Sequence, residues 1–335
     1  MQHLQHFGLS EDPFRNEPRS KEFFDTPVSR DAFARLDRGL RQARGLLVLT
    51  GDVGAGKTMI VRKLLDHLEE EVFDASMLVV LNGAADAGWM LTRFVRLLGI
   101  EEPESEREAL LAQLYEQLAI VREDGRHAVL IIDDAHALAE RDTLREVCGL
   151  LKLEYEDRRL FSLVLSGGPE LERAIAGDPT LAHRVEVKVP LGALDAEAAA
   201  SYLAQRIQQA GGTPAIIEAA AQTALIELGG GLPGRMNTLA DNALFEAFLC
   251  GRSRMSAEDV RRVHSDLGWG ARTPAAAPVS RPEPAAARGE GDLESDLAAV
   301  FDVGLAASLP TEGPPKDEDE DEDEDEDLLV ELLIE

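Results

Sequence analysis

The feature that most constrains this chain is the octapeptide Gly51-Asp52-Val53-Gly54-Ala55-Gly56-Lys57-Thr58. It directly follows the apolar run Leu46-Leu47-Val48-Leu49-Thr50 and opens a helical pattern. It satisfies G-x-x-x-x-G-K-[ST] in full, in the strand-to-helix context that the pattern requires. Glycines let the main chain wrap closely, so that its N–H groups point inward at an anion, and the helix N-terminus adds partial positive charge. Gly51, Asp52, Val53, Gly54, Ala55, Gly56, Lys57, Thr58 and Met59 are therefore read as a phosphate cradle. Lys57 is expected to bridge the β- and γ-phosphates of a nucleoside triphosphate, and Thr58 to give its hydroxyl to Mg²⁺.

Around this loop, strand and helix patterns alternate. Thr58 to Val72 reads as a helix with Ile60, Val61, Leu64, Leu65 and Leu68 on one face, and Met77 to Leu81 as a strand. Helices are expected around Trp89 to Leu98, Glu108 to Val121 and Thr143 to Glu156. Further strands are expected at Ala128 to Asp134, Leu160 to Leu165 and Val185 to Val189. Near-continuous apolar strands separated by helices predict an α/β fold with a five-stranded parallel sheet covered on both faces. Beyond Pro190 the pattern becomes wholly helical: Asp195 to Ala210, Pro214 to Leu228, Pro233 to Leu249 and Ser256 to Leu267. Four parts follow: an N-terminal segment anchored by its aromatic rings (1–30), the phosphate-binding domain (31–190), a small helical lid (191–269), and a disordered Ala/Pro-rich and acidic tail (270–335).

Asp133 and Asp134 end the run Ala128-Val129-Leu130-Ile131-Ile132, where a parallel strand delivers side chains to the crevice at its carboxyl edge. Asp133 is expected to stand near Mg²⁺ directly or through water, and Asp134 to orient and activate the attacking water. His136 is read as an ordinary turn residue. Ser166 is read either as a contact on the γ-phosphate side or as packing.

The charge balance, 34 Lys and Arg against 63 Asp and Glu, excludes a basic nucleic-acid-binding protein of the histone kind. Residues 271–335 alone carry 4 basic and 20 acidic side chains, including eleven alternating Asp and Glu from Asp317 to Asp327. The acidity that remains in residues 1–270 repels nucleic-acid phosphates, so DNA binding through Arg35, Arg38, Arg41 and Arg44, or through Arg254, Arg261 and Arg262, is not favoured. The two cysteines, Cys148 and Cys250, have neither zinc-site nor disulfide spacing. No apolar run approaches membrane-spanning length, so a cytoplasmic protein without direct membrane insertion is expected.

Together these motifs resemble the AAA+ ATPases of the general-secretion-pathway (ExeA-like) type, with more distant similarity to ATPases that assist transposition. The resemblance spans about residues 1–268. Besides the loop and Leu130-Ile131-Ile132-Asp133-Asp134-Ala135-His136, it rests on His6 to Phe14, Phe23 to Ala32, Ser166 to Leu171, His183 to Leu191 and Gly231 to Leu244, in the family's order. It implies ATP and Mg²⁺ bound where an α/β domain meets a helical lid, a homo-oligomer, and a protein client that the sequence does not name. It also implies that Arg184 reaches a neighbouring subunit's γ-phosphate as an arginine finger, with a surface ion pair as the alternative.

Three positions depart from the family pattern. Relatives usually carry arginine where Gly234 stands. Arg235, the candidate second sensor, comes one residue later and is turned by about 100° around the helix. Asp134 replaces the usual glutamate, which predicts slow hydrolysis, and Gly168 stands where glutamine is frequent. A nucleotide-gated adaptor with little turnover is the alternative to a motor.

Overall fold

In the computed structural model, residues 2–17, 23–80, 86–138 and 142–269 are described. The expected tail, 270–335, lies outside the described residues, as does Leu81 at the end of one expected strand.

The sheet is built from β1 (Leu46–Gly51), β2 (Phe73–Val79), β3 (His127–Asp133), β6 (Phe161–Gly167) and β7 (Val185–Leu191), all parallel, in the order β2-β3-β6-β1-β7. Every residue of β3 and β6 is buried, as are the first five of β1, which is why these strands read as near-continuous apolar runs. Successive side chains point to opposite faces. Leu46 and Val48, with Leu130, Ile132, Leu163 and Leu165, join a core with helices α4 (Ala87–Leu97), α5 (Arg107–Glu123) and α6 (Thr143–Gly149). Leu47 and Leu49, with Val129, Ile131 and Val164, join a second core with α2 (Pro27–Arg41) and α3 (Lys57–His67). The expected five-stranded, doubly covered sheet is therefore present.

The helical part comprises α9 (Ala196–Gln209), α10 (Ala219–Gly229), α11 (Pro233–Leu249) and α12 (Ala257–Asp266), with a core of its own. Leu4, Phe7, Leu9 and Phe14 from the start of the chain are buried in that core and not in the sheet's. Arg206 on α9 holds this segment by donating to the carbonyls of Pro13 and Arg15, at 2.6 and 3.0 Å. The cap of α12 is a reciprocal one: Ser256 Oγ accepts from the Asp259 main chain, while Asp259 accepts from the Ser256 N–H.

Several expected boundaries shift. The helix read as Thr143 to Glu156 ends at Gly149 and gives way to a 3₁₀ turn and a small hairpin, β4 (Glu154–Tyr155) with β5 (Arg158–Arg159). Its turn residues Glu156 and Asp157 have φ of 50° and 58°, a left-handed pair that closes a tight hairpin and no helix can contain. The helix read from Pro214 starts at Ala219, because Ile217 is extended and bridges to Met255. The helix read as Thr58 to Val72 stops at His67, and β2 begins at Phe73, four residues before the expected strand.

Candidate functional site

The carboxyl ends of β1, β3 and β6 meet the N-terminus of α11 around a cavity of about 580 Å³. The loop from Val53 to Met59 forms one wall, and α3 begins at its far end. Gly54 and Gly56 have φ of 85° and 99°, which the curled loop requires and an L side chain resists. Gly51 is squeezed from the other side: a Cβ there would stand 2.6 Å from the Leu191 carbonyl oxygen of β7.

Lys57 crosses the mouth of the loop, its Nζ donating to the carbonyls of Gly51 and Asp52 at 2.9 and 3.0 Å. Burial lowers its pKa from the ordinary lysine value, and Asp133, Asp134, Asp52 and Glu170 oppose that shift. A lysine bonded only to neutral carbonyls is a cation ready for an anion.

Thr58 Oγ1 donates to Asp133 Oδ2 at 2.6 Å, so the two residues expected to share Mg²⁺ are already in contact. Asp133 is 1 % exposed, and its other oxygen, Oδ1, is buried without a hydrogen-bond partner. A buried carboxylate oxygen in that state is costly unless a cation or water completes it. Among the described residues no cluster of three or more His, Cys, Asp or Glu forms a protein-only metal cage. One hydroxyl and one carboxylate instead fit an ion that keeps several waters and completes its shell with phosphate oxygens, as Mg²⁺ does.

Asp134 lines the same cavity with its side chain about half exposed, and its backbone is left-handed at φ 55°. That places its carboxylate at the cavity wall, while Asp133 points back to Thr58. His136, two residues further, also lines the cavity, with Nδ1 at 3.8 Å from Asp134 Oδ1. Gly168, at the turn after β6, and Glu170, in the first turn of the helix Pro169–Gly177 that follows, complete that wall. A Cβ at Gly168 would fall 2.6 Å from Glu170 Oε2, so the glycine leaves room for this carboxylate to fold back. The pattern Ser166 to Leu171 marks this turn in the sequence, but nothing in it singles out Glu170.

Gly234 supplies the closest contact between the helical part and the loop. Its N–H, one of the unpaired donors in the first turn of α11, donates to Gly54 O at 2.8 Å. A Cβ on Gly234 would lie 2.9 Å from Gly54 Cα, so an arginine has no room here. This accounts for the shifted register: Arg235 lines the cavity from the next position, with its guanidinium 5.0 Å from the Trp269 ring centroid.

Two expected residues sit elsewhere. Arg184, at the end of α8 (Pro179–Arg184), donates to the Cys148 carbonyl near the C-terminus of α6 and does not line the cavity. Ser166 is fully buried and also off the cavity wall, as packing requires. The opposite wall, which the motifs did not reveal, comes from the N-terminal segment and α9: Arg15, Asn16, Phe23, Phe24, Tyr202 and Arg206. The rings of Phe24 and Tyr202 meet edge-on at 5.2 Å.

Comparison with known proteins agrees with this architecture. Residues 40–175 match the family described as AAA domain. The chain is 29% identical over 272 residues to general secretion pathway protein A of Aeromonas hydrophila, covering 80% of this chain and 48% of that protein. It is 30% identical over 160 residues to an ORC1-type DNA replication protein of Cenarchaeum symbiosum, covering 45% of this chain and 37% of that one. The chain thus spans about half the length, or less, of these curated relatives. Among solved structures it resembles Cdc6p of Pyrobaculum aerophilum (TM-score 0.61, 19% identity, 77% of this chain and 72% of that chain). It also resembles the ORC2 protein of Aeropyrum pernix in its ADPNP and ADP complexes (TM-score 0.57, 18% identity, 77% and 73%). The fold is the P-loop AAA+ fold, and the resemblance read from the motifs is borne out.

Proposed function

We propose that this chain, with an AAA domain on a P-loop AAA+ fold, is an ATPase. In this reading it binds ATP with Mg²⁺ between loop and helical lid, hydrolyses it slowly, and couples nucleotide state to lid seating and to assembly with further copies on a protein client. One observation carries the reading. Lys57 spans the mouth of the curled loop while Thr58 and Asp133, already bonded to each other, leave one buried carboxylate oxygen without a partner. Thr58 and Asp133 would hold the magnesium ion, which when bound gathers phosphate oxygens and offsets their charge.

Lys57 and the amides from Gly54 to Thr58 would then orient the triphosphate, and Asp134 the water opposite it. Attack forms a bond from the water oxygen to the γ-phosphorus and breaks the bond to the β,γ-bridging oxygen, giving ADP and phosphate. Asp134 orients the water and accepts its proton.

Arg235, on the lid, is proposed to sense the triphosphate. Arg184 keeps its proposed role as a finger only if association with a neighbour frees it from the Cys148 carbonyl. DNA engagement finds less support. Arg35, Arg41 and Arg44 are paired with Asp31, with Asp37 and Glu69, and with Glu186, so much of this stripe is neutralised by the protein's own acids.

Calorimetry with ATP and ADP, each with and without magnesium, tests the reading. Wild-type protein is expected to bind both, more tightly with magnesium, and Lys57→Ala to lose at least about tenfold in affinity. Absence of binding to folded wild-type protein would overturn it. If wild-type protein binds ATP but turns it over no faster than Lys57→Ala, the adaptor reading replaces the motor.

A further inference from the structure

Arg235 stands out by its place at the cavity wall. Some arginines among the described residues are held by carboxylates, for example Arg30 by Asp25, Arg145 by Asp178, and Arg252 by the fully buried Asp259, while others, such as Arg93 over the Trp89 ring and Arg184 on the Cys148 carbonyl, are not. Arg235 forms no ion pair and no side-chain hydrogen bond with any described residue, although it lines a cavity that also contains Asp134 and Glu170. Its stem leaves α11 beside the loop: a Cβ on Gly54 would lie 3.3 Å from the Arg235 nitrogen and 3.6 Å from its Cγ. Its guanidinium ends over the face of Trp269, 5.0 Å from the ring centroid.

Trp269 lies three residues beyond the end of α12. It packs partly against the helical core, lines the same cavity, and meets His264 edge-on at 6.5 Å. An aromatic face attracts a guanidinium through its quadrupole without neutralising it, so the cation keeps its charge for an incoming anion.

We propose that Trp269 is a positioning residue for the nucleotide. Its ring holds Arg235 against the phosphate loop and away from the neighbouring carboxylates, so that the guanidinium is presented to the triphosphate. This inference rests on the proposed function, because it assigns the cavity to a nucleoside triphosphate. It also means that nucleotide occupancy is felt at Trp269, where the chain passes from the helical part into the acidic segment.

The test uses the full chain with Mg²⁺ and either ATP or ADP as the probe. Trp269→Ala is expected to weaken ATP binding by about five- to tenfold, and ADP binding less. Trp269→Phe, which keeps an aromatic face, should recover most of the loss; Trp269→Leu, which restores bulk alone, should not. Turnover at saturating ATP should change less than KM. In a Trp89→Phe protein, where Trp269 is the only tryptophan, ATP should alter the emission more than ADP. Wild-type ATP affinity in Trp269→Ala, full recovery by Leu, or an emission indifferent to ATP would each overturn the inference while leaving nucleotide binding intact. Should the Ala variant fail to fold, the Trp89→Phe emission decides. A wild-type protein that binds neither nucleotide would overturn the proposed function itself.

Discussion

Asp134 shows how local backbone geometry can account for a departure from the resembling family. It sits at φ 55°, in the left-handed region, where aspartate and asparagine are tolerated far better than longer side chains. The turn that carries the chain from β3 into the cavity wall thus favours a short acid over the glutamate usual in the resembling family. Asparagine suits the same backbone, so Asp134→Asn isolates the charge: we expect an unchanged melting temperature, ATP affinity within about twofold, and turnover lowered by about 100-fold. A matching drop in ATP affinity would assign Asp134 to binding instead. Another residue, His127 at the opposite end of β3, links stability to pH. Burial and the nearby Arg122 and Arg159 push it down to about 4 from 6.5, while its Nε2 meets Ser162 Oγ at 2.8 Å. The folded protein keeps this ring neutral, whereas the unfolded chain takes up a proton below pH 6.5. Its contribution is therefore present above pH 6.5 and is lost as pH falls towards 4, by about 3 kcal/mol at the limit. Urea midpoints across that range should fall less steeply in His127→Asn than in the wild type. The residue identities of the cradle were legible because chemistry fixes their order; the pairing of His127 with Ser162 was not, because it crosses two strands that only the sheet brings together.

At the scale of elements, legibility followed burial. Strands β1, β3 and β6 are mostly apolar because both faces are covered, and the pattern of the sequence found all three. Elements whose limits depend on backbone handedness or on a distant partner were misread: the hairpin closed by Glu156 and Asp157, and the delayed start of α10, set by the bridge from Ile217 to Met255. The contact of α11 with the loop belongs to the same class, since Gly234 reads as a missing arginine until Gly54 is seen against it. A methyl group on Gly234 meets backbone at 2.9 Å, so α11 must withdraw and its N–H must lose Gly54 O. Gly234→Ala is therefore expected to weaken ATP binding by about tenfold, the order of one lost hydrogen bond, with a small change in melting temperature. Unchanged affinity, measured by calorimetry, would mean that the lid need not seat on the loop for nucleotide to bind.

For the whole molecule, the N-terminal segment and Trp269 converge on one cavity from opposite ends of the described chain, since Arg15, Phe24 and Trp269 all line it. The sequence disclosed the aromatic anchors but not their destination, because ring packing has no directional code, and here Phe7, Phe14 and Phe24 join the helical core while Phe23 packs against the sheet's. The acidic segment beyond Trp269 raises a separable question, since it carries about half of the net charge of -29. Charges spread along such a segment are screened from a cavity more than about 10 Å away at ordinary salt. Truncation after Trp269 should therefore leave the melting temperature and ATP affinity close to those of the full chain. Truncation after Leu267, only two residues shorter, removes the ring beneath Arg235 and should reproduce the loss expected for Trp269→Ala. Parallel calorimetry on the two truncated chains separates the effect of the polyanion from that of the ring. Equal weakening in both would assign the effect to the segment's charge and would shrink as salt is raised, whereas weakening confined to the shorter chain belongs to Trp269.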